Sequence, residues 1–233
     1  MKRKRAAVGL LGALLLTGCA TAGTRPTRGP DDPLKPINKR IFAFNQGLDR
    51  VIVKPTAEAY VGLTPLPMRR GVSDVFSNLE DIEVIVNKAL QGRARGALLE
   101  TARFLVNSTL GLLGVIDVAT PMGLPARSAD FGETLASWGV PSGPYLVLPL
   151  FGPSDVRDGI GIAFDTYTNP ATYLSDPSAR WSAYTFQLID TRSHYLHQGF
   201  LIRMAAAGHE YTFVRDAFWQ KRRAQIRALR SGR

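Results

Sequence analysis

Three histidines near the end of the chain are the residues whose spacing comes closest to a metal site. His194 and His197 are three residues apart, which places both side chains on one face of a helix. His209 is followed by Glu210, a second pair of metal-binding residue types. The sequence contains no HExxH pattern, and aromatic-rich helices often carry histidines that bind nothing. We therefore predict no metal and no cofactor at these residues.

A second group of charged residues, Asp155, Arg157 and Asp158, comes directly after Ser154. Acidic side chains at the start of a helix cap its free N–H groups and interact favourably with its dipole. Helix capping therefore accounts for this group without catalysis. The sequence also lacks a Gly-x-Ser-x-Gly elbow and a phosphate-binding loop. We predict no catalytic residues and a protein that is not an enzyme.

Polar and aromatic residues form a narrow stripe along the first predicted helix. At about 100° per residue, this stripe contains Asn38, Phe42, Asn45 and Asp49. The neighbouring stripe is apolar and contains Ile37, Ile41, Phe44, Leu48 and Ile52, and Pro55 is predicted to end the helix. Taken alone, the pattern favours a core face beside a solvated face.

Residues 145 to 151 form an apolar segment that is interrupted only by Pro149 and is flanked by glycines and prolines. The segment could be extended, or it could form a hairpin between helices. Two interpretations stay open for its role. It is either a buried hairpin with ordinary glycine turns, or a stiff segment that pivots about glycines at its ends.

The periodicity of the rest of the chain predicts a mostly α-helical fold. Apolar residues recur at helical spacing in segments that open at Ser or Asp or close at Gly or Pro. These segments are residues 36–52, 68–79, 81–92, 94–111, 154–167, 176–190 and 210–229. No region of the sequence shows several alternating strands separated by hairpin turns.

The first 19 residues predict the compartment. Residues 2 to 5 are basic, residues 6 to 16 are apolar, and the stretch ends in Thr-Gly-Cys. This pattern is typical of a secretory signal peptide, and its apolar run is too short for a membrane span. Cys19 is the single cysteine, so it has no partner for a disulfide within the chain. Either Cys19 is discarded with the signal, or "LTGC" is a bacterial lipoprotein box in which Cys19 is acylated and anchors the protein.

The sequence divides into a signal peptide (1–18), a lipidated flexible tether (19–34), one domain (35–220) and a basic C-terminal tail (221–233). The whole chain has 29 basic and 19 acidic residues. Residues 217–233 hold 6 basic and no acidic residues, so the basic excess of the mature chain belongs to its tail. Because nucleic acid is a poor partner for a secreted chain, the tail is either a solvated helix end or contacts anionic lipid or an acidic protein.

Several blocks of the sequence, in order, resemble the MlaA (VacJ) lipoprotein family over roughly residues 31 to 170. The blocks are "DPLKPINKRIFAFNQGLD", "KPTAEAY", "NLEDIEVIVNKALQG", "RFLVNSTLGLLGVIDVA", "DFGETLASWGVPSGPYLVLPLFGPSDVRDG" and Asp165. A single short motif would be weak, but blocks in a common register make the resemblance specific. The basic tail matches no role of the family.

The resemblance implies a fold and a function. Family members are outer-membrane lipoproteins of Gram-negative bacteria that maintain lipid asymmetry by removing phospholipid from the outer leaflet. They pass this phospholipid to a periplasmic carrier, and they associate with trimeric porins. The implied fold is a mostly helical, ring-like domain lying in the inner leaflet, with a hairpin-like apolar segment and a central amphipathic channel. Ala20, rather than aspartate, follows the lipidated cysteine, which implies the periplasmic face of the outer membrane.

The resemblance also suggests roles for the residues singled out above. A polar lumen would spare the charged lipid head the cost of desolvation, while an apolar outer surface contacts hydrocarbon. The expected channel residues are Phe42, Asn45, Asp49, Tyr145, Leu146 and Leu148, and the expected gate hinges are Gly139, Gly143 and Gly152. The alternative functions are a structural or adaptor lipoprotein that links porins to other envelope components, and a periplasmic lipid hydrolase.

Overall fold

The part of the chain described by the computed structural model is mostly helical, as the sequence predicts. The model describes residues 32–196 and 198–231, so the predictions for the signal peptide, Cys19, Ala20 and His197 lie outside it. The α-helices are α1 (Lys35–Leu48), α2 (Lys54–Leu63), α3 (Leu66–Leu90), α4 (Ala94–Thr109), α5 (Phe131–Ser137), α6 (Val156–Thr168), α7 (Pro177–His194), α8 (Gln198–Ala206) and α9 (Glu210–Arg230). A 3-10 helix, Pro170–Tyr173, lies between α6 and α7.

The first helix does not end at Pro55. A π-helical turn, Asp49–Val53, joins α1 to α2, and Pro55 is the second residue of α2. The N–H of Lys54 donates to the carbonyl of Asp49, five residues back. Proline is tolerated in the first turn of a helix because its missing N–H needs no partner there. The prediction that Pro55 ends the helical run is therefore wrong.

Residues 68–79 and 81–92, predicted as separate segments, belong to one long helix, α3. Pro65 precedes this helix, and Gly92 follows it with a φ of 71°. Glycine enters this left-handed conformation without steric strain, so the chain can reverse direction directly after α3. Helix α4 then packs along α3.

The predicted hairpin is confirmed between α5 and α6. Strand β1 (Tyr145–Leu148) pairs antiparallel with strand β2 (Gly152–Asp155), and Tyr145 lies opposite Asp155. The turn between the strands places Leu150 at a φ of 70° and Gly152 at 81°. A leucine in this conformation is uncommon, so the turn is tightly determined by its surroundings.

The predicted caps are also confirmed. The carboxylate of Asp155 accepts a hydrogen bond of 2.8 Å from the Asp158 N–H at the start of α6. The carboxylate of Asp176 accepts bonds from the N–H groups of Ser178 and Ala179 at the start of α7. Each bond satisfies an N–H group that has no partner within its helix.

The buried residues are mainly polar. Among the described residues, 16 buried side chains are polar or charged and 10 are hydrophobic, and five of those 10 are alanines. Large hydrophobic side chains are instead exposed along α1, α2, α4 and the loops, with Leu63 and Leu113 exposed by 84% and 79%. A protein surrounded only by water shows the opposite preference. The domain therefore has a largely polar interior and exposes many large apolar side chains.

Helix α1 and the π turn after it also expose apolar side chains and bury polar ones. Ile37 and Phe44 are each 56% exposed and Ile52 is 55% exposed, whereas Asn38 is only 1% exposed. The expectation of an apolar core face beside a solvated polar face is therefore wrong. The amphipathic pattern is real, but its polar stripe faces the protein and much of its apolar stripe faces outward.

The outward apolar surface is not accompanied by a membrane-spanning helix. Within residues 32–196 and 198–231, no helix is both long enough and apolar enough to cross a bilayer.

Helix α9 runs without a break through the predicted boundary between residues 220 and 221. Arg222, on the tail side of that boundary, is buried, while Lys221, Arg223 and Arg227 are exposed. The first part of the basic tail is thus packed against the rest of the domain. A contact with anionic lipid stays a prediction for the exposed basic residues.

Candidate functional site

The hairpin is fixed to the domain by a small aromatic core. Tyr145 and Val147, on one face of β1, are 0% and 2% exposed, and they pack with Tyr211 and Trp219 of α9. Ring centroids of Tyr145 and Tyr211 lie 6.2 Å apart in an edge-to-face arrangement. Such pairs add about 0.5–1.5 kcal/mol beyond the burial of their area.

Two asparagines of α1 bind the free edge of β1. The side-chain amide of Asn38 donates to the Tyr145 carbonyl (3.0 Å) and accepts from the Val147 N–H (2.9 Å). The amide of Asn45 donates to the Leu148 carbonyl (2.9 Å) and accepts from the Leu150 N–H (3.0 Å). An amide carries both a donor and an acceptor, so each asparagine replaces part of a neighbouring strand.

A pocket of about 610 Å³ opens beside these contacts. Its lining comes from α1, the π turn, the start of α2, β2 and the three C-terminal helices, and consists of Phe42, Asn45, Gln46, Asp49, Arg50, Lys54, Gly152, Pro153, Arg192, Gly199, Glu210 and Val214. This volume is in the range of ordinary ligand-binding pockets. The pocket combines aromatic and aliphatic groups with side chains of both charges.

The predicted channel residues divide between this pocket and the hairpin core. Phe42, Asn45 and Asp49 line the pocket, as does the predicted hinge Gly152. Tyr145 instead lies in the aromatic core, and Leu146 and Leu148 are half-buried outside the pocket lining. The role of all six residues as a lipid channel stays a prediction.

The other two predicted hinges lie before β1 in a left-handed backbone conformation. Gly139 has a φ of 91° and open space around its missing side chain. Gly143 has a φ of 71°, and a Cβ added there would lie 3.1 Å from the Cβ of Val156. Both positions therefore need glycine for their conformation, whether or not the hairpin moves.

Sequence reasoning missed the cations of the pocket. Arg50 and Lys54, four residues apart, reach it from the π turn and the start of α2. Arg192 lies 143 residues after Asp49, yet it donates to both carboxylate oxygens of Asp49 at 2.7 and 3.1 Å. The one sequence signal for this pair was Asp49 itself, the single carboxylate in the polar stripe of the first predicted helix.

Buried ion pairs join α3 to α4. Lys88 lies 2.7 Å from Glu100, and Arg103 lies 3.2 Å from both Asp81 and Asp117. Burial acts to raise the pKa of Asp117, but hydrogen bonds from Thr120, Arg103 and Asn107 outweigh it and lower this pKa to about 2. Breaking one partner of such a pair leaves an uncompensated charge, so these pairs hold the polar interior together.

Arg222 of α9 is the centre of a second buried network. Its guanidinium lies 2.6 Å from Asp130, 2.5 Å from Asp158 and 3.5 Å from Glu133. Burial raises the pKa of Glu133 to about 7, with repulsion from Asp130 in the same direction and attraction to Arg222 opposing it. The network ties the last helix to α5 and α6.

A separate concavity of about 350 Å³ is acidic. Its lining includes Glu80, Asp81, Glu83 and Asp130 together with Arg127. Burial raises the pKa of Glu83 to about 8, and repulsion from neighbouring carboxylates adds to this shift.

The histidines do not converge on a metal site in the described part of the chain. His194 Nε2 lies 3.0 Å from the Ser73 hydroxyl and 3.8 Å from Asp190, and His209 directly precedes α9. Across residues 32–196 and 198–231, no group of three or more His, Cys, Asp or Glu side chains could hold a metal ion. His197 is outside the described residues.

Comparisons with known proteins agree on one family. The model of the MlaA lipoprotein family matches residues 30–225. The intermembrane phospholipid transport system lipoprotein MlaA of Escherichia coli is 36% identical over 217 residues, which cover 91% of this chain and 84% of that protein. The Haemophilus influenzae protein of the same description is 31% identical over 226 residues, covering 94% and 89%. A solved structure that concerns the structural basis for maintenance of bacterial outer membrane lipid asymmetry matches with a TM-score of 0.73 and 34% identity, covering 84% of this chain and 100% of that one.

Proposed function

The chain belongs to the MlaA lipoprotein family, and from this premise we propose how it functions. It is an intermembrane phospholipid transport lipoprotein that maintains the lipid asymmetry of the outer membrane. In our proposal it takes mislocalised phospholipid from the outer leaflet and passes it to a periplasmic carrier of the same pathway. Partnership with a trimeric porin is part of this proposal.

The single observation that supports this function most directly is the inverted polarity of the domain. Side chains such as Leu63, Leu98 and Leu113 are at least 70% exposed, while Asn38, Glu100 and Asn107 are at most 2% exposed. In hydrocarbon, an apolar exterior avoids the cost of desolvating polar groups, and helices satisfy their own backbone hydrogen bonds. A domain of this kind fits within one leaflet while offering polar groups to a lipid head on its inner side.

In our proposal the hairpin forms a wall or gate of the lipid path. It borders the pocket through Gly152 and Pro153, and its tip exposes Leu150 and Phe151 by 60% and 66%. The interpretation of residues 145 to 151 as a buried hairpin therefore does not hold for the tip. In our proposal the exposed tip contacts hydrocarbon and the half-buried strand borders the path of the head group.

Transport can be tested in a Gram-negative strain that lacks its own MlaA protein. Expression of this chain should lower the phospholipid content of the outer leaflet, measured by palmitoyl transfer to lipopolysaccharide, and should restore resistance to detergent. Porin abundance is measured in the same cells. If the chain changes porin organisation but leaves outer-leaflet phospholipid unaltered, the adaptor function replaces the transport function.

The proposed anchor has its own test. Cys19→Ser should remove the acylation site and leave the protein uncleaved or mislocalised, because the lipoprotein box requires a thiol. Membrane fractionation and labelling with a palmitate analogue measure both effects. A Cys19→Ser protein that still fractionates with the outer membrane and restores the barrier contradicts the lipid anchor.

A further inference from the structure

Of the two acidic groups of the 610 Å³ pocket, one is paired with a cation of the protein and the other is held by a neutral amide. Asp49 accepts both bonds of the Arg192 guanidinium, at 2.7 and 3.1 Å. Glu210 accepts a hydrogen bond of 2.5 Å from the side-chain amide of Gln46. Asp49 therefore has its counter-charge within the protein, whereas Glu210 keeps its negative charge.

The remaining cations of the pocket are only weakly engaged. Lys54 lies 3.6 Å from Glu58, and their side chains are 37% and 55% exposed. An exposed pair of this kind contributes about 0–1 kcal/mol and leaves the ammonium available. Within residues 32–196 and 198–231, the side chain of Arg50 makes no hydrogen bond or ion pair, although it lines the pocket. With Asp49 paired to Arg192, the cations Arg50 and Lys54 remain against the single carboxylate of Glu210, so the charge of the pocket lining is positive.

The π turn explains why Lys54 reaches the same pocket as Asp49. In an α-helix, residues five positions apart point about 140° away from each other. In the turn Asp49–Val53, the Lys54 N–H bonds to the Asp49 carbonyl, so the wider turn brings Asp49 and Lys54 to the same pocket, and Arg50, four residues before Lys54, lies on the same side. π turns are rare and occur frequently at functional sites.

The pocket also has an apolar side. Phe42 and Val214 line it together with Gly152 and Pro153 of the hairpin. A ligand that fits both sides carries an anionic group next to an apolar body. Guanidinium groups bind phosphate oxygens with short, charge-assisted hydrogen bonds.

We propose that this pocket binds the phosphodiester of a glycerophospholipid, with Arg50 as its main counter-charge and Lys54 as a second one. The site rests on the proposed transport function and assigns the step at which the phosphate of the lipid is recognised. The Asp49–Arg192 pair joins the π turn to α7 and keeps a second guanidinium beside the same site.

The experiment uses the purified full chain in a non-ionic detergent and two fluorescent probes with identical acyl chains. One probe is phosphatidylglycerol and the other is diacylglycerol, which lacks the phosphate. We expect Arg50→Gln to weaken phosphatidylglycerol binding about tenfold and to leave diacylglycerol binding unchanged. The matched control is Arg40→Gln, an exposed arginine of α1 outside the pocket lining, which should change neither affinity by more than about twofold. Arg50→Lys should retain most of the affinity.

Two further measurements test the role of charge and the source of the phosphate. Added NaCl should weaken binding of phosphatidylglycerol to the wild-type chain but not of diacylglycerol, which tests the charge without any substitution. Inorganic phosphate at millimolar concentration should not displace the phospholipid. If it does so completely, the site recognises free phosphate and not a lipid.

The proposed site is wrong if Arg50→Gln and Arg40→Gln weaken phosphatidylglycerol binding equally, or if Arg50→Gln weakens both probes equally. This failure is distinguishable from failure of the transport function. If only the proposed site is wrong, cells that express Arg50→Gln still clear outer-leaflet phospholipid as well as wild type. If the transport function is wrong, the wild-type chain itself does not clear it.

Discussion

Asn38 and Asn45 lie seven residues apart on α1, and both side-chain amides bind the same edge of strand β1. Seven residues are close to two helical turns, so both amides point to the same side of the helix. The helix thereby supplies donors and acceptors at two positions along the strand. A two-stranded sheet alone is marginally stable, and this contact stabilises its open edge.

The first prediction concerns these amides. Asn38→Ala should lower the free energy of unfolding by about 3 kcal/mol, because it leaves the buried groups of Tyr145 and Val147 without partners. Asn45→Ala should cost about 1 kcal/mol, because the N–H of Leu150 is exposed and can bond to water. Denaturation followed by circular dichroism measures both. Gln220→Ala on the exposed side of α9 is the control, and equal effects of Asn38→Ala and Gln220→Ala would contradict the prediction.

The second prediction concerns Arg222. Arg222→Gln should destabilise the protein by about 3–5 kcal/mol, because the buried carboxylates of Asp158 and Glu133 lose their counter-charge. Arg227→Gln, an exposed arginine one turn later on α9, should change the stability by less than about 0.5 kcal/mol. The midpoint of thermal unfolding distinguishes the two variants. Similar midpoints would mean that α9 is not held by this network.

These two features show what the sequence could and could not predict. The helical segments, their Asp caps and the hairpin between glycines follow from local patterns, since periodicity and capping depend on neighbouring residues. The orientation of α1 does not follow. An amphipathic pattern shows that one face of the helix is polar and the other is apolar. In water the polar face lies outside, whereas in lipid the apolar face lies outside, and the pattern does not indicate which of the two surrounds the helix.

Contacts between distant residues gave no local signal either. Arg222 meets Asp130 across 92 positions, and Arg192 meets Asp49 across 143. Each basic residue alone is typical of a solvated helix face. The pocket cations were missed for this reason, whereas Phe42, Asn45 and Asp49 were placed together because they share one helical stripe.

The third prediction concerns pH. The folded-state pKa of Glu83 is raised to about 8 by burial and by repulsion from Asp165, Glu80 and Asp130. The folded protein therefore holds a proton that the unfolded chain, with an ordinary glutamate pKa, releases. This favours the folded state at low pH, and the advantage is lost as the pH rises toward 8, by at most about 1.4 kcal/mol per pH unit.

Unfolding in detergent between pH 5 and pH 9 tests the role of Glu83. Glu83→Gln should flatten the decline in stability across this range and should raise the stability at pH 8 relative to wild type. Glu58→Gln, an exposed residue of α2, serves as the matched variant and should keep the wild-type profile. A Glu83→Gln protein with an unchanged decline would assign the pH dependence to different groups, such as Glu133.

The fourth prediction separates the two glycines before the hairpin. Both require a positive φ, so replacement by alanine should cost about 1–2 kcal/mol at either position. Gly143→Ala should cost more than Gly139→Ala, because its new Cβ lies 3.1 Å from Val156, whereas the space around Gly139 is open. Equilibrium unfolding measures the difference. Gly143→Pro and Gly139→Val would strain the fold itself, so they do not test movement of the hairpin.

The fifth prediction tests movement directly. Cysteines at positions 45 and 148 replace residues now joined by a 2.9 Å hydrogen bond from the Asn45 side chain to the Leu148 carbonyl. A short bis-methanethiosulfonate reagent can bridge them, since each thiol displaces a sulfinate and forms a reducible disulfide. In our proposal Cys19 is acylated and does not react. If the hairpin is a gate, bridging should stop phospholipid clearance and reduction should restore it. Equal clearance before and after bridging means that the hairpin is only a wall, and the singly substituted proteins control for the substitutions.

The inverted distribution of polar and apolar side chains has a calorimetric consequence. The heat capacity of unfolding arises mainly from apolar surface that becomes newly hydrated. Here many large apolar side chains, including Leu63, Leu98 and Leu113, are outside in the folded state, where lipid or detergent covers them, and detergent can cover them in the unfolded chain as well. The heat capacity change per residue should therefore lie below the usual value of about 12–15 cal/mol/K. The stability curve should accordingly be flat, with a free energy of unfolding that varies little between cold and warm conditions.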